Sequence, residues 1–480
     1  MYRRNEISTL AIRASMALAL TLLAVPLAMA QEQLWIKPFE EGQQYRSSSF
    51  CPDGEGGMFA AGLVMGAVTL SLDIVVSRFD HVGDLIWTRQ FGTTSTERDP
   101  IVASDGEGGM FVCGWTWGSL AGPNIGNTDT FLAHYNAEGV QTWIRQFNLT
   151  NDNAPLGLAH DDAGGVYICG SVRDGLGVPT VGYWDVYLIR YDRDGNRVWA
   201  RQFGSTSQDR AGNLAIDGSG GVYMVGTLPG SFAGASTGAG SLFLTHFDNQ
   251  GDRTWLHRFT RSREGSGVEH LVFDEVDGVY VAGGITERIG STWTYHRDFY
   301  VSHFTSSGVP DWTSRFGTSE PDYLTGLLSD EHGGFYMYGR TEGALVGPHL
   351  GEADLFLAHY DNSRNLTWSR QFGTSQHEWS HGLLSDGAGG MLITGRSYGG
   401  YAGGVPGVWS WFIARYGDAD CYHADCDRST GIGVLDIFDF LCFQNAFVSA
   451  DPFACDCDPD PVCNIFDFLC FQNAFVSGCP

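Results

Sequence analysis

The chain has 480 residues, 43% of them apolar, with 14 Trp, 19 Tyr and 65 Gly. That aromatic load excludes disorder, and the length exceeds what one compact core usually organises, so several domains or a repeat array are expected. Asp and Glu number 55 against 28 Lys and Arg, and the formal net charge of -27 argues against a nucleic-acid partner, because phosphate binding needs clustered bases.

In residues 1–30, Arg3, Arg4 and Arg13 lead into an apolar stretch from Met16 to Leu27, followed by Ala28, Met29 and Ala30. This pattern predicts a secretory signal peptide cleaved after Ala30, and hence a secreted, extracellular or cell-surface protein. The apolar run is short for a membrane span, and no transmembrane span is expected in the mature chain.

Trp sets the period of residues 31–417. Trp35, Trp87, Trp143, Trp199, Trp255, Trp312 and Trp368 are separated by 52, 56, 56, 56, 57 and 56 residues, and each is followed four positions later by Phe. On a strand an even offset puts both rings on one face, where they are expected to fill the space between repeats rather than to stack on sugar. Next comes an Asp that opens a Gly-rich turn: Asp53, Asp105, Asp161, Asp217, Asp274, Asp330 and Asp386. Its side chain is read as turn chemistry, bonding backbone amides. An aromatic strand such as Gly164 to Gly170 follows, then a variable loop, a strand such as Asp129 to Tyr135, and a polar turn back to the next Trp. Each unit therefore reads as four short antiparallel strands. Seven such units predict an all-β fold, a seven-bladed β-propeller of four-stranded blades. The units run in phase from Trp35 to Tyr416, which leaves open whether one blade is completed from both ends.

The strand patterns GGVYxxG, DxFLxxY and WxRQFG resemble the SBBP family of bacterial β-propeller repeats. The resemblance implies the fold but no single chemistry. One column of the repeat is basic or imidazole in every unit: Arg78, His134, Arg190, His246, His303, His359 and Arg415. Two readings stand. The column is a ring that attracts an anionic ligand such as an acidic sugar, or a ladder in which each base satisfies its unit's Asp or a backbone carbonyl. No nucleophile elbow, HExxH or P-loop is present, and no catalytic residue is singled out. Cys51, Cys113 and Cys169 are expected to be free buried thiols.

Residues 418–480 differ abruptly. They hold eight of the 11 Cys and eleven Asp, with Arg428 as the single strong base, and the segment IFDFLCFQNAFVS occurs from Ile437 and again from Ile465. Before the second copy, Asp456, Asp458, Asp460, Asn464 and Asp467 take positions 1, 3, 5, 9 and 12 of an EF-hand-type loop, with the Val462 carbonyl at position 7. Hard oxygen ligands at that spacing suit calcium. Pro461 replaces the usual Gly, and Asp467 replaces the usual closing Glu. The first loop, three residues longer, offers Asp425, Asp427, Ser429, Asp436 and Asp439. Eight Cys in an exported module of this size are expected to form disulfides, of unspecified pairing.

Paired Asp loops, each followed by a short apolar helix, resemble the dockerin module, in the variant that ends in Gly-Cys-Pro. The resemblance implies a small α-helical module braced by two calcium ions. It also implies a docking surface around Phe443, Gln444, Asn445, Phe471, Gln472 and Asn473, and a cohesin-like or cell-surface partner protein.

The expected function is an exported, non-catalytic propeller that binds a carbohydrate or peptide and is tethered through its tail. A second expectation is a polysaccharide-degrading hydrolase or lyase carried by the same tail, and a third is a tail that only sorts or anchors. An asymmetric acidic or His cluster in the channel would favour the enzyme, and a uniform channel the binder.

Overall fold

The computed structural model describes residues 32–417 except 40–45, 66–70, 126, 148–152, 162, 174, 232–240, 261–269, 277, 289–294, 331 and 388–389. The expected signal peptide and the expected calcium and docking module lie outside the described residues.

The described chain forms 28 strands in seven four-stranded antiparallel sheets. Six sheets are built from four consecutive strands, beginning with Arg46–Pro52, Glu97–Ser104, Asn153–His160, Arg210–Ile216, His270–Phe273 and Asp322–Ser329. We number these blades 1 to 6. Each of these first strands neighbours the first strand of the next blade, and Glu378–Ser385 of blade 7 neighbours Arg46–Pro52 of blade 1, so the first strands line a closed ring. The Trp strands are the fourth and outermost.

Blade 7 answers what the repeat phase left open. Its order is Glu378–Ser385, Met391–Ser397, Ser410–Gly417 and then Glu32–Phe39, the first described strand of the chain. Glu32 faces Gly417 and Phe39 faces Trp411 across an antiparallel ladder. The sequence repeat therefore begins one strand out of phase with the blade, and backbone hydrogen bonds between the two ends close the ring. Closure leaves no blade with an unpartnered face.

The core is repeated at every seam. Phe91 of blade 1 packs its ring 5.7 Å from Phe131 and 5.8 Å from Tyr135 of blade 2, and Phe147 packs against Tyr191 in the same way. The Trp indoles reach over the seam: Trp87 donates to the Ala137 carbonyl at 2.9 Å, Trp143 to Arg193 at 2.8 Å and Trp199 to Asn249 at 3.0 Å. The polar turn that receives Trp87 must come close, which is why Gly139 stands there. Its φ is +71°, and a Cβ would lie 2.7 Å from the Trp87 ring. The Trp and Phe columns are thus inter-blade filler, each ring needing the same neighbour in every blade. Cys51, Cys113 and Cys169 are free and buried, and burial raises the pKa of all three thiols.

Candidate functional site

Antiparallel order puts the first-to-second and third-to-fourth turns at one end of each blade. All seven residues of the basic column sit at this end, one per blade, on the third strand. Arg78, His134, Arg190, His246, His303, His359 and Arg415 bond Asp53, Asp105, Asp161, Asp217, Asp274, Asp330 and Asp386, each at 2.8 or 2.9 Å. The structure does not bring the bases together in one pocket. It pairs each with the Asp of its own blade.

The two oxygens of that Asp divide the work. In blade 2, Asp105 Oδ1 accepts the amides of Glu107 and Gly109, tying the turn, while Oδ2 takes His134. The other imidazole nitrogen meets Thr142 on the outer strand at 2.6 Å, and the ring stacks on Trp143 at 5.8 Å. Blades 4 and 6 repeat this with Thr254 and Thr367, and blade 5 uses Asp311 instead. Burial pulls the His303 pKa down, but its bonds to Asp274 and Asp311 outweigh that and leave it raised. Burial likewise opposes ionisation of Asp217, yet the His246 bond and the Ser219 and Gly221 amides lower its pKa to about 2.

The opposite end of the blades carries a second column, which sequence reading passed over. In four of the seven units a buried acid stands six residues after the strand-ending Phe: Glu97, Asp209, Asp322 and Glu378. Glu97 accepts from the Thr93 amide and hydroxyl and from the Thr116 hydroxyl, and Glu378 does the same with Thr374 and Ser397. Across the seam lies the Asp that opens the third strand of the preceding blade. Gly92 separates Asp73 from Glu97: a Cβ there would be 2.5 Å from Asp73 Oδ1 and 2.7 Å from Glu97 Oε2. The Gly of the RQFG pattern is therefore the space between two carboxylates. Burial raises the pKa of Asp322 and Glu378, and raises that of Asp209 to about 6, with Asp185 adding to it and bonds from Ser205 offsetting part.

At this same end blades 5 to 7 break the repeat. Tyr323 and Trp379 hold the second position of the inner strands of blades 6 and 7, and their cross-strand partners are Arg340 and Arg396. Arg340 lies 4.0 Å from the Tyr323 ring and 4.0 Å from the Trp379 ring, so one guanidinium bridges the seam between two aromatic faces. Arg396 lies 4.9 Å from Trp379 and 4.6 Å from Trp409, and Arg297 of blade 5 lies 4.5 Å from Tyr323. Cation and ring alternate through six side chains. Trp379 and Trp409 are each 37% exposed, so the stack reaches the surface. Beneath it, His381 packs its ring 4.3 Å from Trp411 and has a buried Nε2 without a hydrogen-bond partner. Burial first, and then the charges of Arg396 and Arg340, lower its pKa to about 4, so the imidazole is neutral at physiological pH. Among the described residues no three His, Cys, Asp or Glu gather as a metal site, and no helix is long and apolar enough to cross a membrane.

No family model matches the chain. A curated relative, the regulatory protein FlaEY of Caulobacter vibrioides, is 28% identical over 165 residues, which are 31% of this chain and 17% of the relative. The chain thus spans under a fifth of that protein's length. Among solved structures, the Pan2 WD40 domain of Neurospora crassa is 10% identical with a TM-score of 0.47, covering 80% of this chain and 95% of that one. The β-propeller domain of the Trilobed protease from Pyrococcus furiosus is 8% identical with a TM-score of 0.42, covering 76% and 91%. The seven-bladed β-propeller itself is read from the strand order and the closed ring of inner strands.

Proposed function

We propose that this is an exported, non-catalytic binding propeller of SBBP-type repeats. Its ligand is taken at the end where blades 5 to 7 carry the arginine and aromatic stack. The observation that carries this reading is the departure of those blades from the repeat. Columns kept alike in all seven blades serve folding, whereas Arg297, Tyr323, Arg340, Trp379 and Arg396 cluster across two adjacent seams with solvent access, as binding sites built on rigid scaffolds do. In this reading the tail, residues 418–480, is a disulfide-stapled dockerin-like module. It binds calcium through Asp456, Asp458, Asp460, Val462, Asn464 and Asp467, and through Asp425, Asp427, Ser429, Asp436 and Asp439. The helices bearing Phe443 to Asn445 and Phe471 to Asn473 dock it on a cohesin-like or cell-surface protein.

Calcium titration calorimetry on the oxidised full chain, beside a variant with Asp456→Ala and Asp467→Ala, tests the tail. Saturable binding of one or two ions that is halved or lost in the variant supports docking. Identical heats in both proteins would remove the calcium ligands assigned here.

A further inference from the structure

We infer that the loops joining the second and third strands dock the propeller on a lipid bilayer, by inserting apolar side chains into it. The inference concerns these loops and goes beyond the reading of the arginine and aromatic stack.

The loops lie at the seam end, and in blades 2, 3 and 6 the same two kinds of side chain clamp them. In blade 2, Gln146 Oε1 accepts the Leu120 amide at 2.8 Å, Gln146 Nε2 donates to Asp129 Oδ2 at 2.7 Å, and that oxygen accepts the Ile125 amide at 3.3 Å. Gln202 with Asp185 holds the amides of Leu176 and Val181 in blade 3, and Gln371 with Asp354 holds those of Leu345 and Leu350 in blade 6. The two apolar residues of each loop then part. Leu120, Leu176 and Leu345 pack on the blade cores, whereas Ile125, Val181 and Leu350 are 56%, 62% and 47% exposed. A clamp that fixes an apolar side chain in solvent, three times over, gives folding little burial in return. It presents that side chain to something outside the protein.

The placing of these tips narrows what receives them. Blade 6 lies across the seven-membered ring from blades 2 and 3, so the tips are separate projections rather than one contiguous patch. A protein interface packs a continuous desolvated core, whereas a fluid bilayer takes up apolar side chains one by one, in proportion to the area buried. The exposed aromatic residues among the described ones, Trp117, Tyr183, Trp379 and Trp409, all stand at this end, and Trp and Tyr favour the boundary between lipid and water. Charge is distributed to match. Residues 117–128 and 398–409 hold no charged side chain, while turns at the opposite end carry Asp80 with Asp84, Asp192 with Asp194 and Asp248 with Asp252. Charge is costly to carry into lipid, so the seam end enters and the acidic end faces water.

The test is co-sedimentation of the full chain with phosphatidylcholine vesicles, whose headgroups carry no net charge. The parent should bind, and binding should survive high salt because no ion pair holds it. Ile125→Asn should weaken binding about tenfold. Ile125→Asn, Val181→Asn and Leu350→Asn together should abolish it with the thermal midpoint within a few degrees of the parent, since the clamped amides belong to the backbone. Val140, Val309 and Leu366 are similarly exposed but lie at the opposite end, and replacing these three by Asn should leave binding unchanged. No binding by the parent, equal binding by the parent and the seam-end triple variant, or release by salt would overturn the proposal. So would a parent that sediments without vesicles as a dimer while the seam-end variant is a monomer, an outcome that assigns the tips to a second copy of the chain.

Discussion

The two ends of each blade handle buried charge in opposite ways. At the turn end the repeated Asp is paired with a base and with turn amides, as Asp217 is with His246, Ser219 and Gly221, and the pKa of Asp217 is pressed down. At the seam end a carboxylate such as Asp209 faces another carboxylate across a glycine, with only Ser205 to bond it, and its pKa is pushed up. The same sheet thus places charge where it stabilises at one rim and where it costs stability at the other. Regularity therefore has two meanings in this fold, and only the paired rim is self-sufficient.

Removing a carboxylate from the paired rim should have the largest effect. Asp386→Ala removes the carboxylate that two nitrogens of the buried Arg415 guanidinium bond, and should cost about 3–5 kcal/mol in denaturant unfolding. Asp105→Ala removes one hydrogen bond of an imidazole that keeps its Thr142 bond, and should cost less, about 1–3 kcal/mol. Equal losses would mean that the rim is held by the turn amides rather than by the pairs.

The next effect belongs to the unpaired rim. In Gly204→Ala the new Cβ would lie 2.1 Å from Asp185 Oδ1 and 2.8 Å from Asp209 Oδ2, and should destabilise by about 1–3 kcal/mol. Gly122→Ala, whose Cβ meets nothing within 4 Å, is the control in the same thermal melts.

The pH dependence of stability separates the rims by sign. Asp217, lowered to about 2, contributes stability that is full above the ordinary carboxylate pKa and is lost as pH falls toward 2. Asp209, raised to about 6, favours the folded state when protonated, so its contribution is full below about pH 4 and is lost as pH rises through 6. Asp209→Asn should therefore flatten the melting profile between pH 4 and 6 and gain about 1–2 kcal/mol at pH 7. A profile unchanged by Asp209→Asn would show that the seam carboxylate is solvated in the folded protein.

The smallest change in stability is expected in the stack. Arg340→Gln removes two ring contacts but no buried ion pair, and should shift stability by less than about 1 kcal/mol. A loss like that of Asp386→Ala would recast the stack as a structural brace.

The regular features were legible because a ring of identical blades needs the same filler and the same turn at the same spacing. Trp87 with Phe91, and Asp105 with its Gly-rich turn, announce themselves by recurrence. The ladder reading of His134 and its six counterparts was one of two open, and recurrence alone does not say where a side chain's second partner lies. Even a partly recurring column can pass unnoticed: Glu97, Asp209, Asp322 and Glu378 are of two residue types, occur in four of the seven units and sit in a variable stretch. The stack was invisible for the opposite reason. Tyr323, Arg340, Trp379 and Arg396 break their columns, and departures from a repeat look like noise until space joins them.

Period, strand count and core were thus settled along the chain, since local alternation and turn chemistry act between near neighbours. Three things waited for the closed ring: the strand Glu32–Phe39 completing blade 7, the carboxylates meeting at the seams, and the guanidiniums threaded between rings of adjacent blades. Each depends on residues more than twenty positions apart being brought within a few ångströms, and only packing of one blade on the next does that.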